Sequence, residues 1–177
     1  MTFALASCQS CQSWGDGHYV AYADMASRAP DVVIHVGDYI YEYGNGEYAG
    51  PNGIVRPHDP AWDIVSLSDY RRRHAQYRTD PDLQRLHAHV PWICTWDDHE
   101  IANNWADDIP AKPDPFFGAR RAAALQAYYE NMPLRPTSAP RGGDMQLYRR
   151  VHWGALASFH MLDTRQYRTD QPCGDEF

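Results

Sequence analysis

Short apolar runs alternate with amphipathic stretches through the first hundred residues. Phe3 to Ser7 is a short buried strand candidate ending in polar Cys8-Gln9-Ser10. Val32-Val33-Ile34-His35-Val36 is β-branched and nearly unbroken, which predicts a buried strand closed by Gly37-Asp38. Val90 to Trp96 repeats the pattern and ends in Asp97-Asp98-His99-Glu100. Between these runs, Asp16 to Arg28 has Tyr19, Ala23 and Ala26 at helical spacing, with Pro30 as a stop. Ser68 opens a second helix carrying Asp69, Tyr70 and Arg71-Arg72-Arg73. The three arginines, like His87 and His89, are expected on solvated faces. Asp80 and Pro81 begin a third helix as N-cap and first turn. Phe116 to Asn131 is a fourth, closed by Pro133. Residues 44–60 and 107–115 read as loops, rich in Gly, Pro and Asn or in Pro. Leu147 to His152 and Ala155 to Leu162 flank Trp153-Gly154 as a β-hairpin. The pattern predicts an α/β core with some antiparallel pairing and no internal repeat.

Composition narrows the function classes. The 177 residues are 44% apolar and 13% aromatic, which excludes a disordered linker. No run of about 18 apolar residues occurs, so no transmembrane segment is expected. The formal charge of −7 argues against a nucleic-acid-binding module, because phosphate backbones repel a net anion. Basic charge is almost all arginine, with Lys112 the single lysine.

Cys8, Cys11, Cys94 and Cys173 are too few for a disulfide-stapled scaffold. Cys8-x-x-Cys11 lacks a second ligand pair for structural zinc. It also follows an apolar run rather than opening a helix, so thiol redox chemistry is a minor alternative.

The informative feature is the chemistry that follows the strands. In open α/β sheets, ligands bind beyond the carboxyl ends of the strands. One run ends at Cys8, one at Asp38, and one at Asp97-Asp98. A thiol and several carboxylates on one rim suit a metal site, since a cation offsets their repulsion. Gly37 lets the chain turn, so Tyr41 can reach back toward Asp38. Phenolate and thiolate donors favour iron(III) over magnesium. Asn103, Asn104 and Asp107 add oxygen donors suited to calcium. A dinuclear centre would hold a phosphoryl oxygen and activate water, with His99 as general acid or oxyanion donor. Each residue also has a plainer role when taken singly. Gly37-Asp38 can be an ordinary turn, and Cys8 a small buried hydrophobe. Tyr41 can be packing, and His99 a structural hydrogen bonder. Asp98 can cap a helix through Ile101–Trp105, and Asn103-Asn104 can end one. Their conjunction after successive strands favours a site.

Three motifs carry a family resemblance: Ala6-Ser7-Cys8-Gln9; His35-Val36-Gly37-Asp38-Tyr39-Ile40-Tyr41-Glu42-Tyr43; and Thr95-Trp96-Asp97-Asp98-His99-Glu100 with Asn103-Asn104-Trp105. Arg120 to Ala124 through Tyr128-Tyr129, Met132-Pro133, and Leu162 to Arg168 extend it. The chain resembles the alkaline phosphatase D (PhoD-like) family of metallophosphatases along essentially its whole length. The resemblance implies a partial metallophosphatase (calcineurin-like) β-sandwich flanked by helices. It implies hydrolysis of phosphomonoesters and phosphodiesters at an iron(III)–calcium centre. Phospholipid is included among the substrates, because some relatives are described as phospholipase D. Cys8, Asp38 and Tyr41 match the iron ligands, with Asp38 bridging to calcium. Asn104 and Asp107 match the calcium side. Asp98 stands where related metallophosphatases have asparagine, and either ligates calcium or orients the ligand segment. Arg165 is a phosphate contact or a structural ion pair.

The resemblance also implies what is expected to be missing. The family pattern continues beyond residue 177 with further Asp and His ligands. Its members carry an export signal, commonly of twin-arginine type, and none is visible here. Residues 1–177 therefore read as the N-terminal part of a catalytic domain. Gln171-Pro172-Cys173-Gly174-Asp175 reads as the entry to an active loop. Alone, such a chain is expected to bind metal weakly, turn over slowly or not at all, and tend to aggregate. The alternative is a non-catalytic fragment or binding module with a vestigial metal site.

Overall fold

The computed structural model describes residues 1–12, 17–48, 50 and 53–171. Three parallel strands form the central sheet in the order β1 (Phe3–Ala6), β2 (Val32–His35), β3 (Trp92–Cys94). Phe3 pairs with Val32, and Val33 with Trp92, which fixes the register. Side chains alternate across a strand, so this register sorts residues onto two faces. Val33, Trp92 and Cys94 lie on one face with the helices, in the main core. Val32, Ile34 and Ile93 lie on the other, in a second cluster with Met161. All four β2 residues are buried, as expected of a middle strand with both faces covered.

The helix side is built from α1 (Val20–Ser27), α2 (Leu67–Tyr77), α3 (Pro81–His89) and α4 (Phe117–Asn131). Helix α1 packs on α3, and α2 on α4. Asp80 caps α3, accepting from the backbone of Asp82 and Leu83, with Pro81 in the first turn. Helix α2 begins earlier than its sequence suggests. Ser66, not Ser68, is the N-cap, in a reciprocal capping box with Asp69. The opposite sheet face is covered by an antiparallel hairpin, β4 (Arg149–Trp153) and β5 (Ala157–Met161). Val151, Trp153 and Phe159 pack there, and Phe3 meets Phe159 edge to face. The expected mixed α/β core with antiparallel pairing is thus present.

Three expectations of burial or exposure fail. Strand β1, expected to be buried, lies at the sheet edge with Phe3 and Leu5 exposed. The Arg71–Arg73 run is not one solvated face. Arg71 pairs with Glu130 and Arg72 with Asp59, both outward. Arg73 is fully buried between Tyr70 and Tyr77, because it shares their stripe of the helix. Its guanidinium donates to the carbonyls of Tyr41, Tyr43 and Pro60, so the buried charge is solvated by backbone dipoles. His87 is half-buried, stacked on Trp92 at 3.8 Å between ring centres. His89, by contrast, is exposed as expected. Residues 101–105 form turns rather than a helix. The expected active-loop entry at 171–175 lies beyond the described residues except for Gln171. No helix is long and apolar enough to cross a membrane among the described residues.

Candidate metal centre

The site lies past the carboxyl ends of the parallel strands. Beyond β1 and β2 the ladder continues, with Cys8 N donating to Gly37 O and Gln9 N to Asp38 O. The two turns are thereby fastened side by side. Both Cys8 and Asp38 adopt φ of 55°, a left-handed conformation that L-residues reach at a cost. Gly37, at φ 114°, is required between β2 and the segment after β3. A Cβ there would stand 2.3 Å from Asp97 N and 2.6 Å from Asp97 Cβ.

Asp38 is the hub. Cys8 Sγ and Tyr41 Oη both lie 3.4 Å from its Oδ2. The backbone N–H of His99 approaches Oδ1 at 3.4 Å. One donor atom each from Asp38, Asp98 and His99 lies within 4.8 Å of the other two. Asp98 is held on both oxygens. Arg165 Nη2 reaches Oδ1 at 3.0 Å, and Asn104 N donates to Oδ2 at 2.7 Å. Arg165 also binds Asp97 through Nε at 2.6 Å, and its Nη1 is buried without a hydrogen-bond partner among the described residues.

Two acidic residues given no role by the sequence complete the frame. Glu42 Oε2 lies 2.7 Å from His99 Nδ1, and its other oxygen accepts from Asn103 N. Glu100 accepts from Tyr39 N at 2.6 Å and from Asp97 N at 2.9 Å, tying the β2 and β3 turns together. Their signal was an acidic residue inside an aromatic run, Tyr41-Glu42-Tyr43, and one closing Asp97-Asp98-His99-Glu100. Tyr41 stacks on the His99 imidazole, centroids 4.3 Å apart.

Electrostatics at the hub oppose ionisation of the donors. Burial pushes the Asp38 carboxyl up; His99 opposes this, while Asp98 and Asp97 add to it. Burial also raises the Tyr41 phenol, reinforced by Asp38, and the Cys8 thiol, although Cys8 remains exposed. Burial works against the His99 imidazolium, but the Glu42 hydrogen bond and charge outweigh it, raising the ring to about 9. Burial lifts Glu100 to about 8, with Asp38 adding to the rise. A thiol, a phenol and a carboxyl that resist deprotonation side by side fit a cation, whose charge reverses each shift.

Cys8, Asp38, Tyr41, Asp98, His99 and Arg165 are therefore joined in one neighbourhood through their side chains, and Asn104 through its backbone N–H. Asp107 is not joined to it through its side chain. Its exposed carboxylate faces Arg121 at 3.6 Å, and only its backbone N reaches the carbonyl of Arg165. Cys8 and Cys11 are free thiols. Burial raises Cys11 as it does Cys8, the reverse of what an activated redox thiol needs.

Comparison with known proteins points the same way as the geometry. A family model described as PhoD-like phosphatase matches residues 3–177. Alkaline phosphatase D of Bacillus subtilis (strain 168) is 56% identical over 177 residues, covering 99% of this chain and 30% of that protein. A solved structure described as the structure of PhoD superposes with a TM-score of 0.90 at 56% identity. It covers 97% of this chain and 33% of the solved one, so the chain spans about a third of the length of these relatives.

Proposed function

The chain belongs to the PhoD-like phosphatase family, and from that premise we propose that it carries the metal-holding rim of a phosphoester hydrolase acting on phosphomonoesters and phosphodiesters. The observation that carries this reading is the convergence of Cys8 and Tyr41 on one oxygen of Asp38, beside Asp98 and His99. In this reading residues 1–177 are the N-terminal portion of a metallophosphatase catalytic domain, and the β4–β5 hairpin facing the parallel sheet is part of its sandwich. The substrate is a phosphate ester, with phospholipid in the same class, and the site of action is outside the cytoplasm, as for the exported family.

Cys8, Asp38 and Tyr41 would hold iron(III), with Asp38 shared with calcium on the Asp98 and Asn104 side. Asp107 is assigned to the calcium side by donor type and by the family resemblance, while its carboxylate here pairs with Arg121. When bound, these ions supply charge neutralisation at a phosphoryl oxygen and a lowered pKa for attacking water. The remaining work falls to the protein. Glu42 fixes His99 Nδ1, which leaves Nε2 on the Asp98 side, 3.9 Å from its Oδ2. From there Nε2 gives a proton to the leaving alkoxide or donates to a developing oxyanion. Arg165, clamped by Asp97 and Asp98, offers its unpartnered Nη1 to a phosphoryl oxygen.

Bis-p-nitrophenyl phosphate and p-nitrophenyl phosphate, with iron and calcium supplied, test the reading. Turnover is expected only in the metal-loaded protein and is lost together with the metal in Asp38→Asn. Turnover that persists in EDTA, or in Asp38→Asn, contradicts it.

A further inference from the structure

Three tyrosine rings gather around the His99 imidazole. Tyr41 stacks on it at 4.3 Å between ring centres. Tyr43 meets it at 5.3 Å and a steep angle of 62°. Tyr48 leans over it at 6.1 Å and 57°. Tyr48 is the odd member. Tyr41 is buried and Tyr43 half-buried, whereas Tyr48 is 62% exposed. Its ring centre stands 5.9 Å from those of both other tyrosines, and its plane is within 18° of that of Tyr43. Tyr43 and Tyr48 thus form one aromatic surface that borders His99 and opens to solvent at Tyr48.

Folding alone gives little reason for an aromatic ring at Tyr48. Most of its surface stays in water, so burial contributes little. Its backbone is held at φ 58°, a conformation that bulky residues reach at a cost. The loop is nonetheless pinned. Buried Gln12 accepts from Gly46 N at 2.7 Å and donates to Glu47 O at 3.0 Å. On the other side, Arg73 donates to the carbonyls of Tyr41 and Tyr43. The rings are therefore set in place before a ligand arrives, which lowers the ordering cost of binding one.

His99 decides what lies against this surface. Glu42 occupies Nδ1, so the leaving oxygen of an ester takes its proton from Nε2. The group carried by that oxygen then sits one bond beyond a hydrogen bond to the imidazole that the two tyrosines border. A flat ring there gains offset stacking on an exposed tyrosine face, which a short alkyl group cannot match. We propose that Tyr48, backed by Tyr43, is a specificity-determining residue that stacks an aromatic leaving group, so that the site prefers aryl to small alkyl phosphoesters. This rests on the phosphoester-hydrolase reading of the metal centre.

Calorimetric titrations of the whole chain, loaded with iron and calcium, with benzylphosphonate and ethylphosphonate test this. Both probes carry the same charged group, and both replace the leaving oxygen by a CH2 that is not cleaved. They therefore report the shelf as a ratio of affinities, without turnover. Benzylphosphonate is expected to bind at least about tenfold tighter than ethylphosphonate in the wild type. The ratio should fall below about threefold in Tyr48→Ala and return in Tyr48→Trp, which restores a stacking face. Tyr48→Ala changes an exposed side chain, and circular dichroism checks its fold. Equal affinity of the wild type for the two probes, or an unchanged ratio in Tyr48→Ala, overturns the shelf and leaves the metal centre standing. Benzylphosphonate binding that persists in EDTA also overturns it, since the probe would then sit elsewhere. Binding of neither probe to the loaded wild type contradicts the metal-centre reading itself, and the shelf falls with it.

Discussion

Glu42 Oε2 sits 2.7 Å from His99 Nδ1, and both groups are buried. A carboxylate in that position fixes the imidazole plane and decides which nitrogen faces Asp98. The same carboxylate closes the turn at Asn103 through its second oxygen. Removing it strips a buried pair of one partner and leaves a backbone N–H unsatisfied. Glu42→Ala should therefore destabilise the protein by about 3–5 kcal/mol, and Glu42→Gln by clearly less, because the amide oxygen still accepts one of the two bonds. Urea unfolding of the metal-free proteins measures the difference. Equal loss in the two variants would show that the charge, not the geometry, is what matters.

Arg73 and Arg72 are adjacent in sequence and opposite in consequence. Arg73→Met leaves the carbonyls of Tyr41, Tyr43 and Pro60 without a donor in the interior, and is expected to cost about 3 kcal/mol or more. Arg72→Ala removes an exposed pair with Asp59 and an exposed contact over the Trp62 ring, and should change stability by about 1 kcal/mol at most. Denaturant midpoints of the two variants, measured in parallel, give the contrast; similar values would contradict the assignment of Arg73 to the interior.

The sequence made the rim legible but not its support. Apolar runs ending in Cys8, Asp38 and Asp98 mark the strand ends, because burial imposes a pattern that periodicity can read. Arg73, Glu42 and Glu100 were invisible to that logic. Each is polar at a position whose burial depends on partners 30 to 61 residues away, and no local spacing encodes those contacts. His87 was misplaced for the same reason, since its stacking surface, Trp92, belongs to the next strand. Asp107 shows the converse limit: its donor type suits calcium, while the fold turns its carboxylate toward Arg121.

Gly37 should be intolerant of any side chain. Its φ of 114° is unfavourable for L-residues, and a Cβ would collide with the backbone of Asp97. Gly37→Ala is expected to cost at least about 2 kcal/mol and to separate the Asp38 turn from the Asp98 turn. Thermal unfolding of the metal-free variant tests the first effect, and retained calcium uptake would refute the second.

Stability should fall on the acid side through His74. Burial lowers its pKa from 6.5 to about 3, and neither ring nitrogen has a hydrogen-bond partner among the described residues. The unfolded chain takes up a proton below about 6.5 that the folded chain refuses. The folded state is therefore favoured fully above that pH and loses about 1.4 kcal/mol per pH unit from this residue as pH falls toward 3. His74→Phe should flatten the stability curve between pH 6 and 4 by about one proton's slope. An unchanged slope would place His74 in contact with water.

Visible spectroscopy of the iron-loaded protein tests the central claim most directly, because a phenolate bound to iron(III) absorbs where the apoprotein does not. The wild type should take up iron with a visible charge-transfer band, and Tyr41→Phe should lose its phenolate component while elemental analysis still finds iron. A colourless iron-loaded wild type, or a Tyr41→Phe variant with the band intact, would contradict the convergence of Cys8, Asp38 and Tyr41 on one metal.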